Sequence, residues 1–167
     1  MSDTRNHRLV RAIINGFPFM GGLEGYTPPA VTKVTEESKG GRFVAGEVVV
    51  GLEKLTGEIK LSGATAELLS SHGVEVGEFS EITVLGSSED ADKNKAPLKW
   101  EHTCEITSIK SGEVKPGKFD HTVAFTCRAY KHTDGPQLIY DINVKTQTCV
   151  IGGKDLLEQH RANVEMS

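Results

Sequence analysis

Aromatic residues are scarce in this 167-residue chain, where Phe, Trp and Tyr together make up 6% and Trp occurs once. A module that grips a sugar by stacking needs more flat apolar surface than that. Cysteine is sparse as well: Cys104, Cys127 and Cys149 form no CxxC pair, and three cannot be fully paired within one chain. A reducing compartment at synthesis is therefore expected. No apolar run approaches the roughly 20 residues that cross a bilayer. The opening MSDTRNHRLVR lacks the apolar stretch of a secretory signal, so a soluble chain with no membrane contact is expected. Basic surface is also short. The formal net charge is -4, whereas gripping nucleic acid requires concentrated positive charge. Arg5, His7, Arg8 and Arg11 are the nearest approach, partly offset by Asp3; they read as a solvated N-terminal arm before a polyanion contact. Acidic residues gather instead between Glu75 and Asp92.

Alternation is what the chain has in quantity. Leu98, Trp100, His102, Cys104 and Ile106 share one face of a strand, and Lys99, Glu101, Thr103 and Glu105 the other. Val123, Phe125, Cys127 and Ala129 repeat the pattern against Thr122, Ala124, Thr126, Arg128 and Tyr130. Leu138, Tyr140, Ile142 and Val144 do so again. A period of two rich in β-branched and aromatic residues predicts half-buried antiparallel strands. Shorter candidates lie at 9–14, 17–21, 31–37, 47–52, 58–62 and 78–85. Asn15-Gly16 between Ile14 and Phe17 is a two-residue type I′ hairpin signal, because both residues tolerate positive φ. Asp134-Gly135-Pro136 marks another turn. The fold class expected is mainly β, an antiparallel sandwich or barrel-like sheet forming one domain over 1–167.

Two helices stand against this background. Residues 65–72 run from a possible Thr65 N-cap to Gly73 and would flank the sheet. A second, short helix near the C-terminus begins at Asp155, where Asp155 and Glu158 are spaced as a capping box. With one turn of apolar residues, Leu156 and Leu157, it is too short to stand alone and must dock on something. Two stretches, near 38–46 and near 87–97, are polar and glycine-rich or charged and are expected to project as loops.

Candidate chemistry is thin. His102 and Cys104 sit two apart on one strand face, and Cys127 and Cys149 could approach them to sketch a zinc site. Zinc signatures bring ligands in close sequence pairs, however, and buried cysteine more often behaves as a small hydrophobe. No nucleophile elbow, P-loop, dinucleotide fingerprint or HExxH is present. Gly40-Gly41 and Gly152-Gly153 do not lead from a strand into a helix. His160 and Arg161 read as catalytic, as complements to a helix C-terminus, or as interface residues.

The stretch Gly153, Lys154, Asp155, Leu156, Leu157, Glu158, Gln159, His160, Arg161, Ala162, Asn163 resembles the ending of the major tail tube protein of contractile-tailed phages, which reads G-x-D-x-LEQHR-x-N. Three more stretches are similar in the same order: Asn15-Gly16 with Met20-Gly21; Lys39-Gly40-Gly41 with Val50-Gly51-Leu52; and Asp134-Gly135 through Tyr140-Asp141-Ile142-Asn143. Pro28-Pro29 and the ending Glu165-Met166-Ser167 depart from the family's pattern. The resemblance implies a sandwich or barrel-like tube subunit with a flanking helix. Six copies would form a ring around a channel and rings would stack into a tube, as in the relatives in R-type bacteriocins and type VI secretion. It implies a structural protein of the virion, assembled in the host bacterial cytoplasm, with no enzyme activity, cofactor or metal. The partners implied are further copies, the sheath, the baseplate and terminator proteins, and, inside the channel without specific binding, the tape measure protein and DNA. Under that resemblance Lys39, Gly40, Gly41, Arg42 and Phe43 are candidates for contact with the adjacent ring. Asp155, Leu156, Leu157, Glu158, His160 and Arg161 are candidates for docking the C-terminal helix. A monomeric β module that binds a protein or carbohydrate through its loops is the other reading.

Overall fold

Strands that alternate apolar and polar residues can bury only one face, so they must assemble into a sheet that covers that face. The computed structural model describes residues 5–19, 23–62, 79–117 and 120–166. In it the strands are β1 (Arg5–Ile14), β2 (Phe17–Phe19), β3 (Leu23–Thr27), β4 (Lys33–Ser38), β5 (Gly46–Leu52) and β6 (Leu55–Ser62). They continue as β7 (Ser80–Asp90), β8 (Lys95–Ser111), β9 (Asp120–Asp134), β10 (Gln137–Asn143), β11 (Thr148–Ile151) and β12 (Lys154–Asp155), followed by a helix, α1 (Glu158–Asn163). The helix expected at 65–72 lies outside the described residues.

The main sheet is antiparallel and runs β12-β11-β10-β9-β8-β7-β1-β2, with β6 added to β9 and β3 added to β6. The fold is mainly β and sandwich-like, with an open sheet. One edge of β9 pairs with β8 along its length. Its other edge is shared, first by β6 from Asp120 to Cys127 and then by β10 from Ala129 to Asp134. The β3–β6 wing folds over the apolar face of the long strands, so that Tyr26 of β3 meets Trp100 and His102 of β8. Between the layers lies the core, which includes Ile14, Ile59, Leu61, Ile82, Val84, Cys104, Val123 and Phe125, all at most 2% exposed.

The turns follow local chemistry. Asn15 (φ 48) and Gly16 (φ 88) make the two-residue connection of β1 to β2. The Asn15 side chain also accepts from the Glu81 N–H at 3.0 Å and donates to Ser80 Oγ at 3.3 Å, which pins the turn to the start of β7.

Two expectations from alternation and two from charge are corrected. A bulge opposite Thr103 and Cys104 makes Arg128 an extra residue in β9, so Tyr130, not Ala129, continues the buried face. Val144 lies past the end of β10 and is exposed. The stretch 87–97 is not a loop, because β7 and β8 pair through it from Ser87↔Pro97 to Glu89↔Lys95. The reason is Asp90, whose Oδ1 accepts from the N–H groups of Asp92 (3.0 Å) and Asn94 (2.8 Å) and closes a tight Asx turn. The N-terminal residues stay exposed but are not a free arm. As β1 they lie against β7, with Arg5 donating to Asp134 at 2.8 Å and Arg8 to Glu89 at 3.1 Å.

Gly57 of β6 lies directly opposite Phe125, and a Cβ there would fall 2.6 Å from the ring's Cζ and 3.3 Å from Pro29 Cδ. The Phe125 ring fills the space a side chain would need. Gly57→Ala is expected to destabilise the fold by about 1–3 kcal/mol through overpacking, read as a lowered urea midpoint at unchanged slope. An unchanged midpoint would show that the ring can move aside freely.

Candidate assembly surface

The residues that suggested metal or nucleophilic chemistry form part of the interior. His102 Nδ1 lies 2.8 Å from the Ile82 carbonyl, which can only accept, so Nδ1 carries the proton and Nε2 is left to accept from the Tyr26 hydroxyl. Both ring nitrogens are thereby engaged in neutral hydrogen bonds. Burial lowers the His102 pKa to about 4, against a smaller opposing effect of the Ile82 bond. Cys104 and Cys127 face each other across β8 and β9. Burial pushes the Cys104 thiol up to about 12, and it raises Cys127 further with the help of neighbouring Cys104. Thiols held protonated are poor ligands and poor nucleophiles. Around them the rings interlock: Trp100 stacks on His132 at 4.9 Å, and His102 on Tyr130 at 5.3 Å.

The chain's conspicuous surface lies elsewhere. β4 and β5 form a separate two-stranded sheet, off the main one. Its base is held by the Glu53 N–H donating to the Thr32 carbonyl at 2.8 Å, and by Val31 and Leu52 against the core. Beyond that base the consecutive residues Val48, Val49 and Val50 are all exposed, which leaves both faces of β5 uncovered. At the tip the Arg42 N–H donates to the Lys39 carbonyl at 3.0 Å, and Gly40 takes the left-handed conformation (φ 55) that the turn requires. Phe43 is 97% exposed. Lys39, Gly40, Gly41, Arg42 and Phe43 thus lie together at the end of a projecting hairpin.

At the C-terminus the structure separates the expected docking residues. Leu157 packs against the core, whereas Leu156 is 49% exposed and Glu158 and His160 face outward. The capping box is corrected: α1 starts at Glu158 with Leu157 as its N-cap, and no side chain caps it. Asp155 instead belongs to β12, paired with Val150, and its carboxylate accepts from the Leu157 N–H at 3.1 Å and from Arg161. Arg161 also donates to the Gln147 carbonyl at 3.0 Å, which ties the helix to the turn between β10 and β11. The Arg161 guanidinium holds the Asp155 carboxyl below its usual range, and Asp155 in turn raises Arg161. Arg161 is therefore a latch rather than an exposed complement to the helix end.

Sequence reasoning did not single out a third feature. An open groove of about 390 Å³ lies between β1 and β3, lined by His7, Val10, Leu23, Tyr26, Pro28 and Trp100, with Glu24 and Gly25. Periodicity could not find it, because it forms where β1 and β3 approach without pairing, beside Trp100 from far along the chain.

The interior is held by neutral hydrogen bonds, and the conspicuous features of this mainly β protein lie on its surface, above all the exposed valines of the β4–β5 hairpin. The chain belongs to the phage tail tube protein FII family, structural components of virions and phage-like particles, whose model matches residues 6–164. The tail tube protein of Escherichia phage P2 is 26% identical over 174 residues, spanning 98% of this chain and 99% of that one. The fold is also similar to a chain of the sheath-tube complex of PVC, an extracellular contractile injection system, in its extended state. The TM-score is 0.57 at 10% identity, over 75% of this chain and 88% of that chain. A chain of the PVC sheath/tube terminator in the extended state gives 0.56 at 10% identity, over 75% and 93%.

The depressed His102 pKa fixes a pH dependence. Above about 6.5 the ring is neutral in both states; between 6.5 and 4 the unfolded chain binds a proton that the folded one refuses. Stability contributed by this group is therefore full above that window and is lost as pH falls through it, by on the order of 3 kcal/mol in all. Urea midpoints from pH 7.5 to 4.5 are expected to fall steadily below about pH 6.5. A flat profile would mean that His102 is protonated in the folded state.

Proposed function

We propose that this chain is the repeating subunit of the inner tube of a contractile phage tail or a related contractile injection device. Six copies form a ring, and rings stack into a conduit for DNA or effector. The observation that carries this reading is the β4–β5 hairpin, which pairs with no further strand among the described residues and whose β5 carries three consecutive exposed valines, Val48, Val49 and Val50. Such edges are normally blunted or covered, and here a second copy is the cover. Membership of the tail tube family along nearly the whole chain supports the same reading.

In this arrangement the tip residues Lys39, Gly40, Gly41, Arg42 and Phe43 contact the adjacent ring. Ring contacts are heterologous and close, while stacking contacts are heterologous and open-ended. Sheath subunits surround the tube, and baseplate and terminator proteins bound its two ends. The tape measure protein and DNA occupy the channel without specific recognition, which suits a chain of net charge -4. Assembly takes place in the host bacterial cytoplasm.

Negative-stain microscopy of the purified chain, concentrated and seeded with sheared tails of its own particle, is expected to show rings or hollow tubes. A featureless monomer under both conditions overturns the tube reading. Deleting residues 39–43 is expected to leave the circular dichroism and melting temperature unchanged, because the tip is exposed, while abolishing polymerisation. Normal tubes from that variant would remove the hairpin from the ring contact.

A further inference from the structure

The hairpin's tip and the groove between β1 and β3 are complementary. We infer that Phe43 of one copy seats in the β1–β3 groove of a second copy. This rests on the tube reading and deepens it by naming the surface that receives the hairpin.

The groove exists because β3 and β1 approach without pairing: β3 bonds to β6, and β1 bonds to β7 and β2. Apolar walls from Val10, Leu23 and Pro28 therefore stand open beside the rings of Trp100 and Tyr26. Those two rings meet edge-on at 5.5 Å, and this leaves aromatic surface against which a third ring can pack in an offset or edge-to-face arrangement. At about 390 Å³ the groove lies near the lower end of the range for ligand pockets, about 300–1,000 Å³. That is enough for a single aromatic side chain with part of its backbone.

The knob has matching chemistry. Phe43 is the most exposed of the large apolar residues described, and Val44 beside it is 73% exposed. Lys39 and Arg42 flank Phe43 on the same tip. Glu24, the extra residue of a bulge in β3, carries a carboxylate at the groove's rim, so positive tip and negative rim favour each other and fix the register. Knob and groove occupy different parts of one chain. A contact between them is heterologous and can repeat from copy to copy, as stacking requires.

The test is a cross-link in the full chain carrying Phe43→Cys and Pro28→Cys, oxidised mildly after polymerisation. Cys104, Cys127 and Cys149 are buried with raised pKa values, so they compete poorly for the oxidant. A non-reducing gel is expected to show a ladder in multiples of the chain, with peptides joining position 43 of one copy to position 28 of another. Tubes that form without that link overturn the seat and leave the tube reading intact. A wild-type chain that never polymerises overturns both. Independently, Phe43→Asp is expected to slow tube elongation at least tenfold at unchanged melting temperature, and Phe43→Leu to restore most of the rate. A Phe43→Asp chain that elongates like the wild type likewise overturns the seat.

Discussion

The backbone of β9 must satisfy hydrogen bonds to three strands, and the extra residue Arg128 stands where two of them change over. Before it, β9 pairs with β6 and holds the wing that folds over the core. After it, β9 pairs with β10 and carries the extension that ends in α1. The Arg128 carbonyl is not orphaned by the bulge, since it accepts from the Val144 N–H at 2.9 Å just past β10. Its guanidinium rests 4.5 Å over the Phe79 ring, so the irregularity is bonded on both sides. A bulge sharpens local twist, and here it stands where one long strand changes partner from β6 to β10 within the same sheet.

The same bulge decides what the interior is made of. By moving Tyr130 to the buried face it completes a cross-strand row of Ile82, His102, Tyr130 and Ile142. Without it Ala129 would fill that place and His102 would lose the ring stacked on it. At His102 the Ile82 carbonyl and the Tyr26 hydroxyl engage both ring nitrogens. A buried polar group that is fully bonded specifies its neighbours. In this protein it fixes β3 against β8, across a boundary that has no backbone pairing.

Period-two alternation made β8, β9 and β10 legible in the sequence, and Asn15-Gly16 announced its hairpin, because both signals are local. The Arg128 bulge was not legible, since one inserted residue leaves composition unchanged and only the partner strand reveals it. Charge misled at 87–97: residues that read as a solvated loop are paired, with Asp90 folding the turn and Arg8 answering Glu89. β3, β11 and β12 are too short to show a period, and they owe their conformation to the strands they join. The hairpin tip at 39–43 was visible as glycine and charge, whereas the β1–β3 groove is purely tertiary. The C-terminal motif was recognisable as a pattern before its physics was. Asp155 and Arg161, six positions apart, turn out to lock the helix onto its own sheet rather than to cap it.

That lock bears on how association is directed. With Leu157 half-buried and Arg161 bonded to Asp155 and Gln147, the helix is tied to its own sheet. Beyond its base the β4–β5 hairpin has no such ties among the described residues. A lone two-stranded hairpin is marginal in water, and this one adds exposed valines on both faces of β5. In the proposed stack, covering it yields apolar burial and ordering together, so part of the contact energy goes into fixing the hairpin. Each contact then binds less tightly than its area alone suggests. In that stack, subunits of this kind would resist premature polymerisation at low concentration and would add readily to an end where a seated neighbour already presents the complementary groove.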